Sequence, residues 1–313
     1  MIRFFKRDNR SIVELDVLEK GCWVNISPPF NQDNLKKLSH EQNIPFDYLI
    51  DSLDIDERSR YEIEDENHFV VIKTPIVNEN NIYNESYYLT IPVGIVITPE
   101  NIFTVSPYDT QVIDDFINNK IKNVDPEKKN NFLLMIFERN VYYFLQYLNE
   151  LNNKRSLFEK RMIKSLENEK LVRLMNIEKS FVYFVTALRS NEMLKMKLNR
   201  TNVLHFNESQ LDLIEDIIVD NSQAVEMANI YTNILSSTMD TFASIISNNL
   251  NMVMRRLTTV TLILMVPTLI ASLYGMNISL PLGNDPLAFI YIIVISLLSI
   301  GIISWYFFKQ KWL

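Results

Sequence analysis

The sequence predicts an α/β domain, then a long helical region, then a C-terminal hairpin of two membrane-spanning helices. Three observations carry this reading. Residues 1–125 hold seven of the eleven prolines, set among short runs rich in β-branched and aromatic side chains. Residues 127–266, 140 in all, contain neither glycine nor proline, although ordinary composition supplies several of each in such a length. Two uncharged stretches, 257–274 (18 residues) and 287–308 (22 residues), lie 12 residues apart, and each is about long enough to cross a bilayer core.

Taken in order, residues 22–26, 68–73, 87–91, 94–98 and 102–106 favour strands. Pro99-Glu100-Asn101 supplies a hairpin turn between the last two. Residues 31–42 and 45–53 read as helices, and the acid-rich segment 51–66 (DSLDIDERSRYEIEDE) as a solvated turn and strand edge. Residues 126–206 are expected to form helical arms, broken at the polar clusters Asn152-Asn153-Lys154 and Asn199-Arg200-Thr201-Asn202. From 207 to 274 a single helix of 68 residues would reach roughly 100 Å. Its first part, 207–256, reads as a stalk and its second, 257–274, as the first span. A heptad-like series (Val225, Ala228, Leu235, Met239, Phe242, Ile246, Val253), interrupted by Thr232 and Asn249, is expected to face symmetry mates. Residues 275–286 form the connecting loop, 287–308 the second span, and 309–313 a basic tail. Ser296, Ser299, Gly301 and Ser304 suit the second span to close helix packing.

Charge orients the hairpin. Residues 251–313 carry four basic side chains (Arg255, Arg256, Lys309, Lys311), all at its outer ends, and one acid, Asp285, in the loop. The positive-inside rule then puts both termini in the cytoplasm and the loop outside. The remaining residues carry 27 basic and 37 acidic side chains, a balance that disfavours nucleic acid as a partner and suits divalent cations. MIRFFKRDNR has no apolar run long enough for a signal peptide. The single cysteine, Cys22, excludes an internal disulfide and suits a reducing compartment.

The first span is patterned. Asn251, Thr258, Met265 and Ser272 recur every seven residues, and so do Met254, Thr261, Thr268 and Gly275. Together they mark one stripe at alternating three- and four-residue spacing. Spacing alone leaves two readings open: hydroxyls that satisfy backbone carbonyls or pack a neighbouring helix, or a stripe facing a water-filled axis built from several copies.

Tyr274-Gly275-Met276-Asn277 closes the first of two C-terminal spans, and the chain ends 36 residues later on Lys309-Gln310-Lys311-Trp312. This arrangement resembles the GMN signature of the CorA-type magnesium channels, and the likeness extends over the whole architecture. The resemblance implies a funnel-shaped homopentamer in the cell membrane, with the first span of each copy lining the pore. It implies Gly275, Met276 and Asn277 as selectivity filter, and pore positions at Asn251, Leu257, Met265 and Thr268. Three of those lie on the stripe, Leu257 lies beside it, and Thr258 and Thr261 complete the lining. It also implies cytoplasmic acids that bind regulatory Mg²⁺ between subunits: Asp216, supported by Glu226, and a partner near Asn78 and Glu79, where asparagine replaces the family's aspartate. The segment 51–66 resembles the one preceding a central strand in that family. The loop 278–285 lacks the family's acidic element, which leaves Asp285 to attract cations.

The chemistry fits a magnesium cargo. Mg²⁺ sheds water reluctantly, so neutral oxygens at Gly275 and Asn277 suit the hydrated ion, and glycine lets the backbone approach. The lining has no carboxylate, which favours release. An inside-negative potential contributes about 4.6 kcal/mol per divalent ion at 100 mV. Met265 and Leu257 are the apolar rings suited to gating by dewetting, and Lys309 and Lys311 would form a basic collar or serve as interfacial anchors with Trp312. No phosphate-cradling motif is present among five glycines, and no organic cofactor is expected. Two alternatives stand beside this reading. One is a zinc, cobalt or nickel transporter of the same architecture. The other is a membrane-anchored sensor or enzyme, disfavoured because His40, His68 and His205 lack metal-ligand spacing and because an anchor gives the stripe no purpose.

Overall fold

A computed structural model describes residues 1–79, 86–162, 168–276 and 286–310. The chain forms two compact units, Met1–Ser237 and Thr238–Leu313. The first unit opens with β1 (Ile2–Asp8), β2 (Ser11–Leu15), β3 (Trp23–Ile26), α1 (Gln32–Glu41) and α2 (Phe46–Asp51). It continues with β4 (Arg60–Glu64), β5 (Asn67–Val77), β6 (Tyr88–Ile97), β7 (Ile102–Val105) and α3 (Gln111–Ile117). Three long helices follow, α4 (Lys129–Met162), α5 (Asn168–Thr201) and α6 (Glu208–Tyr274), and α7 (Ala288–Lys309) comes last. α6 crosses the boundary between the units without a break.

The seven strands form one sheet in the order β2-β1-β3-β7-β6-β5-β4, antiparallel except for the β3–β7 pair. Both faces are covered. Val24, Ile26, Phe103 and Val105 join Leu35, Leu38 and Leu49 of α1 and α2 in one cluster, where Tyr48 stacks on Phe69 at 4.3 Å. Trp23, one residue out of phase, points the other way and packs on Phe116 of α3 and Phe132 of α4. Its Nε1 donates to Thr104 Oγ1 at 2.8 Å, so the buried indole leaves no donor unpaired.

Two strands predicted separately, 87–91 and 94–98, are one. Pro92 is tolerated because β7 pairs with β6 only from Gly94 to Ile97, and Pro75 because β4 reaches β5 only as far as Val71. Each proline therefore lies where its strand has a neighbour on one side. At Gly94 an added Cβ would meet Ser52 Oγ at 1.7 Å, so this glycine lets the end of α2 sit on the sheet. The sequence reading passed over β1, β2 and α3. In β1, Arg3 and Lys6 carry their charge outward to Glu14 and Glu19 at 2.8 and 2.9 Å, which masks the strand pattern. The acid-rich segment 51–66 contains the edge strand β4, whose Arg60 pairs with Asp51 at 2.7 Å and with Glu57.

The expected break at Asn152-Asn153-Lys154 does not occur; α4 runs through it. Arg155 Nε donates to Asn152 Oδ1 at 3.1 Å and its Nη1 pairs with Glu159 at 2.7 Å, so the polar groups bond along the helix rather than against it. The second break is found. α5 stops at Thr201, and Asn202 takes φ 43° with its N–H on Leu198 O. Asn207 then caps α6, accepting from Gln210 N–H while its own N–H donates to Gln210 Oε1, both at 3.0 Å.

The heptad-like series on α6 corrects one expectation. Ala228, Leu235 and Phe242 are already buried within the single chain, whereas Ile246 and Val253 are exposed. Its first part is taken up by the chain's own packing and does not need a symmetry mate. Phe181 of α5 lies 5.9 Å from Tyr231, and Lys195 of α5 is fully buried with its Nζ 2.7 Å from Asn221 Oδ1 of α6.

Candidate functional site

In the second unit α6 and α7 are both long and apolar enough to cross a membrane. The sides of α6 differ. Thr259 is fully buried, and Ile263, Val266, Pro267 and Ile270 are half-buried. Asn251, Met254, Leu257, Thr258, Thr261, Met265, Thr268, Ser272, Gly275 and Met276 are all exposed. At the helical repeat the two sets are centred roughly half a turn apart. The stripe therefore faces away from the side that the chain itself packs. α7 is sided as well: Ile292, Ser296, Ser299, Ile303 and Phe307 are at least half-buried, while Gly301 is open, with nothing within 4 Å of a Cβ built on it. Ser296 and Ser299 fit the expected packing role; Gly301 does not play it within one chain.

Two hydroxyls on the stripe are arranged as acceptors. Thr261 Oγ1 donates to Leu257 O at 2.9 Å and Thr268 Oγ1 to Leu264 O at 2.7 Å. With each proton committed to the backbone, the oxygen lone pairs are left for outside donors, such as the water shell of a cation. No acidic residue occurs between Asp240 and Asp285, so the array is neutral. Arg255 and Arg256 stand off the stripe, on the side of the packed face. Pro267 lies inside the helix and has no N–H to donate to the Ile263 carbonyl, again off the stripe. The sequence reading missed Thr259, a polar residue inside the uncharged run; its seven-residue relation to Val266 was the available signal.

At the end of α6, Gly275 N–H donates to Ala271 O at 3.0 Å and Met276 N–H to Leu273 O at 3.3 Å. A Cβ on Gly275 would sit 3.4 Å from Ala271 O and 3.5 Å from Ser272 O, ordinary contact. Among the described residues of one chain nothing demands glycine here. Asn277 lies outside the described residues, as do Asp285 and Lys311.

The acids expected to bind regulatory Mg²⁺ form no metal-holding group among the described residues. Asp216 and Glu226 are exposed on α6, and Glu79 is exposed after β5. Asn78 beside it is buried, its Nδ2 donating to Ser86 O at 2.9 Å. Among the described residues no group of three or more His, Cys, Asp or Glu side chains is placed to hold a metal.

The cobalt/magnesium transport protein CorA of Methanocaldococcus jannaschii is 26% identical over 296 residues, 93% of this chain and 91% of that one. The magnesium transport protein CorA of Helicobacter pylori is 28% identical over 243 residues, 75% of this chain and 74% of its own length. Among solved structures, the complete CorA magnesium transporter of M. jannaschii superposes with a TM-score of 0.85, covering 100% of this chain and 99% of that one at 24% identity. At that identity the superposition shows a common fold. The profile of CorA, the CorA-like Mg²⁺ transporter protein family, matches residues 19–310, from before β3 to the end of α7, and on that match the chain belongs to the CorA family of magnesium transporters.

Proposed function

We propose that this protein is a magnesium channel that admits hydrated Mg²⁺, and also Co²⁺, to the cytoplasm down the membrane potential. The observation that carries the reading is the exposed neutral stripe on α6, set opposite the face the chain buries for itself. A monomer in lipid would leave that stripe without polar partners; a ring of copies turns it into an aqueous lining. We assign five copies around the axis, as in the family. The hairpin sits in the cell membrane with both termini in the cytoplasm, following the charges at its outer ends.

In this reading residues 1–125 form the cytoplasmic α/β domain, 126–206 the helical arms, 207–256 the stalk, 257–274 and 287–308 the spans, 275–286 the external loop and 309–313 the tail. Gly275, Met276 and Asn277 form the filter, where rings of amide and carbonyl oxygen replace contacts of the outer hydration shell. Thr268, Thr261, Thr258 and Asn251 then pass the ion along by weak neutral contacts. Leu257 and Met265, each 59% exposed in the single chain, form apolar rings able to dewet. Asp216 and Glu79, presented by separate elements of one subunit, meet acids of neighbouring subunits through bound Mg²⁺, and cytoplasmic Mg²⁺ thereby closes the pore. Because the donors are neutral oxygens, Co²⁺ enters by the same route, in keeping with relatives that carry cobalt in their names.

The test is Mg²⁺ entry into liposomes holding the purified chain, under an inside-negative potential and low internal Mg²⁺. Entry in the wild type that is lost on Asn277→Ala supports the filter. Absence of entry at every potential overturns the magnesium reading, and Zn²⁺ entry in its place would select the zinc alternative.

A further inference from the structure

Between α6 and α7 runs an open groove of about 330 Å³, lined by Leu262, Val266, Ile302, Ile303, Tyr306 and Phe307. It is within the size range of ligand pockets and almost wholly apolar in its lining. Both walls end in a cation. On α6, Arg255 lies seven and eleven residues before Leu262 and Val266, on the same helical ridge. On α7, Lys309 follows Ile302 and Tyr306 at seven and three residues, again on one ridge. Arg255 and Lys309 are exposed, and Lys309 Nζ stands 5.4 Å from the ring centre of Trp305, itself 65% exposed. No acidic residue of either helix lies at this end. The groove wall on α6 is centred about a quarter turn or more from the stripe assigned to the ion path, so the groove opens on a different face of the helix.

We propose that this groove is a binding site for an anionic phospholipid of the cytoplasmic leaflet. One acyl chain lies along Leu262, Val266, Ile302 and Ile303, and the phosphate is held by Arg255 and Lys309 at the membrane surface. Charge complementarity selects this occupant: two cations at the end of an apolar slot match a molecule with an anionic head and an apolar tail. A side chain from a second copy would fill the slot but leave both cations unanswered. The site would make channel assembly and opening sensitive to the anionic lipid content of the membrane.

The inference rests on the hairpin spanning the bilayer with the Arg255 end inside. That reading is checked separately, by flotation of the full-length chain with vesicles and by protease protection of its N-terminus. The test itself counts lipids retained by the purified full-length protein in native mass spectrometry, titrated with phosphatidylglycerol or phosphatidylcholine of matched chains. The wild type is expected to favour phosphatidylglycerol by roughly tenfold or more, as two surface cations allow. Arg255→Gln with Lys309→Gln, both at exposed positions, should remove the preference. Ile302→Trp, which fills the groove, should lower retention of both lipids. Equal retention by the wild type overturns the proposal, as does a preference that survives the double substitution. Ile302→Trp that disturbs the oligomer while phosphatidylglycerol retention stays unchanged assigns the groove to a second copy and also overturns it.

Discussion

Lys195→Met perturbs a buried amine that ties α5 to α6. The Lys195 side chain is 1% exposed; its Nζ donates to Asn221 Oδ1 at 2.7 Å and lies 5.7 Å from the centre of the Phe137 ring on α4. Loss of hydration pushes the amine down to about 7, against the pull of Glu192 on α5 and Asp220 on α6. Holding a lysine that far below its ordinary 10.5 costs folding about 4 kcal/mol at pH 7. Methionine has a similar unbranched length and no charge to desolvate. Its own cost is an unpaired Asn221 carbonyl, about 1–3 kcal/mol; the Asn221 amide still donates to Leu188 O at 3.0 Å. The variant is therefore expected to be more stable by about 2 kcal/mol at pH 7. The sign with pH follows from the direction of the shift. Between pH 7 and 10.5 the unfolded chain binds this proton and the folded chain does not, so wild-type stability gains with rising pH. By pH 9 about 2 kcal/mol of the cost is recovered, and the advantage of the variant shrinks to near zero. Guanidinium unfolding of the full-length protein in detergent, followed by far-UV circular dichroism at both pH values, measures the difference. A variant less stable at pH 7, or a gap that does not narrow at pH 9, refutes the reasoning.

Asp216→Ala is expected to raise the internal Mg²⁺ needed for half-inhibition by roughly fivefold, about 1 kcal/mol for one exposed carboxylate; unchanged inhibition in the liposome assay removes Asp216 from the sensor. Gly275→Ala is expected to leave helix content unchanged, since the added methyl group meets only ordinary contacts. Mg²⁺ entry should nevertheless fall by roughly tenfold, about 1.4 kcal/mol of barrier, because in the proposed filter this backbone approaches the ion and the other copies. Full flux in this variant would show that glycine has no part in the filter.

The spans and the long helices were legible because their signals are local. Uncharged length, the gap in glycine and proline, and the seven-residue recurrence of Thr258, Met265 and Ser272 each require only neighbours on one helix. The misreadings depend on partners distant in sequence. Pro92 reads as part of a gap between two strands until β7 is seen to stop short of it. Ala228 and Leu235 sit in a heptad pattern that predicts a symmetry mate, yet the chain's own packing buries them. Lys195 gives no sign in the sequence of being buried, because its partner Asn221 is on another helix. Asp216 and Glu79 carry a metal-binding reading only through family likeness, since a site shared between subunits leaves no spacing to read within one chain.

The central claim is that the stripe on α6 lines the ion path and the opposite face does not. In a Cys22→Ser background, which removes the only native thiol, Met265→Cys and Val266→Cys place a thiol on the two sides of the helix at the same depth. Mg²⁺ entry into liposomes is measured before and after treatment with a charged, water-soluble thiosulfonate. The account predicts block at Met265→Cys and undiminished entry at Val266→Cys. Block at Val266→Cys alone, or the same response at both, contradicts it.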